Sequence, residues 1–209
     1  MNLENYYWYF NEGLSKNLCN DIIQYALSKQ KEEGIVDGVK RSQDSLDISK
    51  KIDDMKKEIR NSHVVWLDEK WIYNELQPFV REANEKAGWN FEWSWSESCQ
   101  FTIYTKNQFY DWHTDSSSGV IKEEGPLNNL TRKISMSVLL NDPTEYCGGE
   151  LEFDFKNIPH PKNAIRQATE INKQGSIVVF PSFVWHRVKP VTQGTRYSLV
   201  MWNNGKPFR

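Results

Sequence analysis

The chain changes its hydrophobic period near Trp93. Before that point apolar residues recur at helical spacing. Leu18, Ile22, Ile23, Ala26 and Leu27 follow Ser15, a residue suited to an N-cap, and predict a first helix ending near Gly34 and Gly38. Ile72, Leu76, Phe79, Val80, Ala83 and Ala87 predict a second, with Asp68 as its N-cap and Pro78 kinking or dividing it. Gly88-Trp89 closes it. Tyr6 to Phe10 reads as an aromatic strand. Lys40 to Arg60 is dense in charge, with scattered Ile48, Ile52, Met55 and Ile59, and reads as an exposed loop followed by a short surface helix.

From Trp93 onward the period is two. Strand-like runs cover Ser98 to Thr105, Ile134 to Leu140, Glu150 to Phe155, Ser176 to Phe180 and Arg196 to Trp202. Turns fall at Asn107, Gly119, Asn141-Asp142-Pro143, Gly148-Gly149, Gly175 and Gly194. Many short strands of this kind predict a β-sandwich or barrel of jelly-roll type. The expectation is an α+β chain with a double-stranded β-helix (jelly-roll) core. It would form one domain over 1–209, with helical support over about 1–92 and the core over about 93–209. Residues 116–131 are long and aperiodic, a candidate lid.

Composition narrows the partners. At 209 residues the chain suffices for one sizeable core, and no internal repeat is visible. Its 26 basic and 28 acidic residues are spread along the sequence, so no electrostatic footprint of nucleic acid or an anionic membrane is present. Cys19, Cys99 and Cys147 are odd in number and lack a CxxC spacing, which fits a reduced, cytoplasmic compartment. The first ten residues have neither a basic nor an apolar leader region, and no run approaches the roughly 18 apolar residues of a membrane span. A soluble, unprocessed protein is expected; nothing in the pattern fixes an oligomeric state.

The candidate chemistry sits at His113-Thr-Asp115 and His186. On an extended strand residues two apart share a face, so His113 and Asp115 can grip one ion, with His186 as the third ligand. Two imidazoles and a carboxylate on one side of an octahedral ion leave three open positions, the arrangement of non-haem Fe(II) oxygen chemistry. His63, in the helical half, and His160, between Pro159 and Pro161, are poorer ligands. Arg196 follows His186 by ten residues, and Ser198 shares its face. A guanidinium fork with a hydroxyl beside it suits an acidic cosubstrate, unless Arg196 pairs with Glu150 or Asp154. Tyr104 alternates with Gln100 and Thr102 on the polar face of its strand and can donate its phenol inward.

These residues resemble the Fe(II) and 2-oxoglutarate-dependent dioxygenases, specifically the prolyl 4-hydroxylase-like branch. The match runs through Tyr104, Tyr110, His113 and Asp115, then Gly148-Gly149-Glu150-Leu151 and Gly175 to Pro181. It ends in His186 to Val191 and Thr195 to Trp202, and so covers roughly residues 98 to 204. Asn107 stands where the family often has glycine, and Ser198 where prolyl hydroxylases commonly have a small apolar residue.

The resemblance implies that His113, Asp115 and His186 hold Fe(II), and that Arg196 binds the distal carboxylate of 2-oxoglutarate with help from Tyr104 and Ser198. The reaction would couple decarboxylation of 2-oxoglutarate to succinate and CO2 with O2-dependent hydroxylation of a C–H bond, ascorbate rescuing oxidised iron. Halogenating relatives lack the carboxylate of Asp115. The substrate implied is proline in a peptide or protein, with a free amino acid or other small molecule as the alternative, and Tyr110, Trp112, Trp185 and Trp202 as candidate substrate contacts. A cupin-type site would need more histidines. A metal-binding jelly roll without turnover is the reading from a different class.

Overall fold

A computed structural model describes residues 5–34, 59–116, 119–122, 124–155 and 165–208. The loop and helix expected over 40–60 lie outside the described residues except for Ile59 and Arg60, and His160 lies outside them too. Helix α1 runs Lys16–Leu27, and the Ser15 side chain caps it by accepting from the Leu18 N–H at 3.2 Å. Its buried face is Cys19, Ile22 and Ala26.

Helix α2, Lys70–Lys86, departs from expectation at its start. Glu69, not Asp68, occupies the cap position, and it makes no capping bond because its carboxylate is engaged by Tyr25 and Lys29. Pro78 does not divide the helix. Pro78 and Asn74, whose carbonyl loses its i+4 partner, are both exposed, so solvent can satisfy the freed group.

Among the described residues eight strands form the major sheet: β1 (Trp8–Phe10), β2 (Glu32–Glu33), β4 (His63–Leu67), β5 (Trp95–Ser96), β6 (Cys99–Tyr104), β8 (Thr131–Leu139), β12 (Ile177–Pro181) and β15 (Arg196–Gly205). Its path is β1-β12-β8-β15-β6-β4-β2, with β5 beside β15. The minor sheet, in order, is β11 (Ile165–Gln167), β10 (Leu151–Asp154), β13 (Trp185–Val188), β7 (Phe109–His113) and β3 (Arg60–Asn61). A two-stranded ribbon pairs β9 (Tyr146–Gly148) with β14 (Val191–Gly194). All pairings are antiparallel. This is the α+β jelly roll that the alternating pattern predicts.

The segment before Trp93 is not purely a helical support. β1, β2, β3 and β4 come from it and join both sheets. His63 therefore lies on a strand rather than in a helical half. That strand escapes a period-two reading because Val64, Val65 and Leu67 are all buried.

Two apolar cores result. On the outer face of the major sheet Phe101, Ile103, Met136, Val138, Leu199 and Met201 pack with Ile22, Ile72, Leu76 and Val80 of the helices. Between the sheets lie Tyr104, Leu151, Phe153, Val178, Phe180, Val188 and Val191. No helix among the described residues is long and apolar enough to cross a membrane.

Candidate active site

His113 ends β7 and pairs directly with His186 of β13. The next registered pair is Val188 with Tyr110, three residues back on β7 against two forward on β13. That extra residue is a β-bulge, and it brings Tyr110 onto the His113 face. The two rings stack at 3.5 Å between centroids, 10° from parallel.

Asp115 does not sit on the strand with His113, contrary to the alternation argument. It lies in a bend beyond β7. The N–H groups of Asp115 and Ser116 both donate to the Ser182 carbonyl at 2.9 Å, and this anchor swings the carboxylate back toward the imidazoles.

One ligand atom each from His113, Asp115 and His186 fits within a 4.8 Å span. His113 Nε2 is 3.8 Å from Asp115 Oδ1, and His186 Nε2 is 3.6 Å from Asp115 Oδ2. The Nδ1 atoms face backbone carbonyls, of Asp111 at 2.7 Å and Val184 at 3.0 Å. A carbonyl only accepts, so each Nδ1 carries the proton and each Nε2 presents a lone pair to the centre. Asp115 Oδ2 is buried with no hydrogen-bond partner.

Burial, followed by the neighbouring His186, pushes the His113 pKa down to about 3. Burial acts to raise Asp115, but His186, His113, Arg132 and a Ser135 hydrogen bond outweigh it and hold the carboxyl below its ordinary value. A neutral His113 beside an ionised carboxylate with an orphaned oxygen is a donor set for a divalent cation.

Arg196 opens β15 opposite Tyr104 of β6, with its guanidinium carbon 5.7 Å from the Tyr104 ring centre. It is buried, and its Nη1 has no hydrogen-bond partner. Glu150 pairs instead with Lys189 at 3.6 Å. Gly149, at φ +70°, lets the Arg196 stem pass: a Cβ there would lie 2.8 Å from Arg196 Cδ. Ser198 is buried on the same face. Burial raises the Tyr104 phenol, opposed by the charges of Arg60 and Arg196.

Beyond the cluster, Trp202 is buried and carries Arg132 at 4.0 Å over its ring. Arg132 grips Glu97 with two bonds of 2.6 Å and reaches the Asp115 carbonyl at 3.5 Å. Asn204 donates to Glu97 at 2.8 Å. Glu97, Arg132 and Asn204 were not among the residues the sequence singled out. Asn204 was within reach, since it continues the even-numbered face of Arg196, Ser198 and Trp202.

Arg60 is a second such residue, lost in a charge-dense stretch. It is buried, bonds Gln100 at 2.6 Å and Ser62 at 2.9 Å, and lies 4.6 Å over the Tyr110 ring. The site does not gather Trp112 or Trp185. Trp112 carries Arg187, which alternates away from His186, and Trp185 is about half exposed. His63 meets Gln108 rather than the cluster. Asn107 takes the left-handed conformation its turn requires, φ +66°.

Residues 99–204 match the model of the 2OG-Fe(II) oxygenase superfamily, a span that includes every ligand described above. The chain belongs to that superfamily. The 2OG-Fe(II) oxygenases are named for the iron(II) and 2-oxoglutarate they depend on. Among curated relatives, a PKHD-type hydroxylase of Teredinibacter turnerae is 35% identical over 103 residues, 49% of this chain and 41% of that protein. One from Xylella fastidiosa is 35% identical over 107 residues, 49% of this chain and 42% of its own length. The match thus spans about two-fifths of the length of these relatives.

Among solved structures, the viral collagen prolyl hydroxylase of Paramecium Bursaria Chlorella virus-1 superposes with a TM-score of 0.64 at 20% identity, covering 97% of both chains. A prolyl-4-hydroxylase of Pseudomonas putida gives 0.63 at 18% identity over 98% of this chain and 95% of that one. At these identities the likeness establishes the shared jelly roll of the 2OG-Fe(II) oxygenases.

Proposed function

We propose that this chain is an Fe(II)- and 2-oxoglutarate-dependent hydroxylase, with His113, Asp115 and His186 holding the metal and Arg196 the distal carboxylate of 2-oxoglutarate. The observation that carries this reading is the pair of orphaned atoms, Asp115 Oδ2 and Arg196 Nη1. An acceptor without a donor in a ring of imidazoles, and a cationic donor without an acceptor, are complementary to a metal ion and a carboxylate. Bound iron with its 2-oxo acid supplies the oxidation of a C–H bond by O2, releasing succinate and CO2.

The chain's own residues orient and exclude. The Asp111 and Val184 carbonyls fix the imidazole tautomers, and the Ser182 carbonyl fixes the bend that aims Asp115. Phe180 and Tyr110 pack edge and face against His186 and His113, keeping water from the imidazoles. Tyr104 and Ser198 complete the wall beside Arg196. Within the 116–131 segment, which connects Asp115 to β8 in sequence, the Ile121 N–H donates to the Leu130 carbonyl and the Asn129 N–H to the Ile121 carbonyl. Closure of this segment over bound substrate is part of the proposal.

We infer that the substrate is proline in a peptide or protein. Trp202 Nε1 and Asn204 Oδ1 are a buried donor and a buried acceptor without partners, two residues apart on β15. Together they match the C=O and N–H of a peptide unit, which free proline, carrying a carboxylate and an ammonium instead, lacks. Trp66, 41% exposed with its ring 6.3 Å from that of Trp202, adds an apolar surface for a pyrrolidine ring. Relatives named as hydroxylases and neighbours named as prolyl hydroxylases support the same choice.

The test is succinate formation on admitting oxygen to protein loaded anaerobically with Fe(II) and 2-oxoglutarate, with and without a panel of proline-containing peptides. Stimulation by a peptide, absent in His113→Ala, is the expected result. Stimulation by free amino acids alone would replace the substrate, and no succinate despite bound metal and 2-oxoglutarate would leave a binding protein.

A further inference from the structure

A cavity of about 650 Å³ lies where the segment after α2 meets the end of β15, with Trp89, Phe91, Trp93, Lys133, Lys206 and Phe208 on its walls. No metal-binding residue borders it, and neither do Arg196, Trp202 and Trp66. The hydroxylation chemistry leaves it without a role. Its walls are aromatic: Trp89 and Phe91 stack 15° from parallel, and Phe91, Phe183 and Phe208 meet edge to face with centroids 5.1, 6.0 and 6.4 Å apart. Gly205 at the end of β15 permits this approach, since a Cβ there would lie 2.2 Å from the Glu92 carbonyl oxygen.

One buried cation enters the aromatic space. β8 bulges against β15: Asn203 pairs with Ile134 and Asn204 with Arg132, which leaves Lys133 as the extra residue. Arg132 goes to Glu97 and Trp202, whereas Lys133 goes to the cavity. Lys133 is only 5% exposed. Among the described residues its ammonium has no hydrogen-bond acceptor and no ion pair; its contact is the face of Phe208, 3.3 Å from the ring centre. A buried ammonium is costly without an acceptor, and cation–π attraction to Phe208 offsets only part of that cost. A carboxylate would satisfy it with a charge-assisted bond.

We propose that this cavity binds an aromatic carboxylate, its ring among Phe91, Trp93 and Phe208 and its carboxylate on the Lys133 ammonium. The volume is in the range of small-molecule sites, and an apolar lining with one placed charge is their usual chemistry. Exposed Glu92 on the same wall weighs against a dianion such as phosphate. The inference does not rest on the hydroxylase reading. The two sites are neighbours all the same: the Lys133 carbonyl accepts from the Ser182 N–H at 3.0 Å, and the Ser182 carbonyl anchors Asp115. Binding is therefore best measured with the metal site filled.

The experiment is calorimetric titration of the full chain, saturated with Mn(II) and 2-oxoglutarate, with 2-naphthoate and separately with its neutral isostere 2-naphthamide. Wild type should bind naphthoate roughly tenfold tighter than naphthamide or better, the scale of a hydrogen bond to a charged group. Lys133→Met keeps the apolar stem and should abolish that preference while leaving naphthamide binding unchanged. Lys133→Gln, neutral but polar, repeats the test should methionine disturb the packing. Trp93→Ala should weaken both ligands alike, and Arg196→Ala should match wild type. No naphthoate binding at millimolar concentration, equal affinity for the two ligands in wild type, or a preference that survives both Lys133 variants would each overturn the proposal. Loss of the preference in Arg196→Ala would show that the probe had entered the space beside Arg196 instead, and would overturn it too.

Discussion

The two faces of the major sheet are built from the same strands and do opposite things. Outward, Phe101, Ile103, Met136, Leu199 and Met201 meet the helices in an apolar layer with nothing to satisfy but shape. Inward, Gln100, Thr102, Tyr104, Ser135, Arg196, Ser198 and Trp202 are equally buried, yet mostly polar. Buried orphan atoms separate the faces further. Arg196 Nη1, Trp202 Nε1 and Asn204 Oδ1 come from the inward face of β15, and Asp115 Oδ2 stands beside it. Among the described residues the remaining orphans, on Glu69 and Glu170, belong to carboxylates whose other oxygen is bonded. Burial alone costs a polar group about 1–3 kcal/mol when unpaired, so the inward face gives up stability for ligands while the outward face supplies it.

Substitutions should therefore separate stability from chemistry. The largest effect expected is loss of turnover and of tight divalent-metal binding in His113→Ala, with little change in the melting temperature of the apo protein. A large fall in melting temperature would show that the inward face also carries stability. Leu76→Ala, on the fully buried face of α2, should do the reverse, costing about 2–5 kcal/mol in urea unfolding while the folded fraction keeps its metal affinity.

A smaller effect follows from pH. The His113 pKa is held at about 3 in the folded state, below the ordinary imidazole value of 6.5. The folded state therefore favours the neutral ring. Its contribution is complete above about pH 6.5 and is lost as pH falls toward 3, with a slope of up to ~1.4 kcal/mol per pH unit. Urea unfolding of the apo protein between pH 7 and 5 should show that slope, and His113→Phe should flatten it. Least affected should be Ser198→Ala, a few-fold weakening of 2-oxoglutarate binding with metal affinity untouched.

Legibility in the sequence followed the same division. Period-two alternation gave the runs that became β6, β8, β10, β12 and β15, because each turns alternate residues toward an apolar core. It failed for His63–Leu67, buried on successive positions, and for Tyr110, which a bulge moved to the other face. The HxD pair was legible, but the route by which it closes was not. Alternation on a strand was the expected reason, whereas a bend held by the Ser182 carbonyl is the observed one. Arg132 and Glu97 carried no sequence signal, since a long-range ion pair has no fixed spacing. Glu69 displaced Asp68 at the helix start through tertiary bonds to Tyr25 and Lys29 that no local pattern encodes.

The most direct test of the central claim is Mn(II) titration, with 2-oxoglutarate added afterwards, on wild type and on His113→Ala, Asp115→Ala, His186→Ala and Arg196→Ala. One Mn(II) per chain is expected in wild type and in Arg196→Ala, loss of that site in each of the other three, and weakened 2-oxoglutarate binding in Arg196→Ala alone among the metal-binding proteins. Unchanged Mn(II) binding in the histidine and aspartate variants, or equal loss of metal and 2-oxoglutarate in Arg196→Ala, would contradict it.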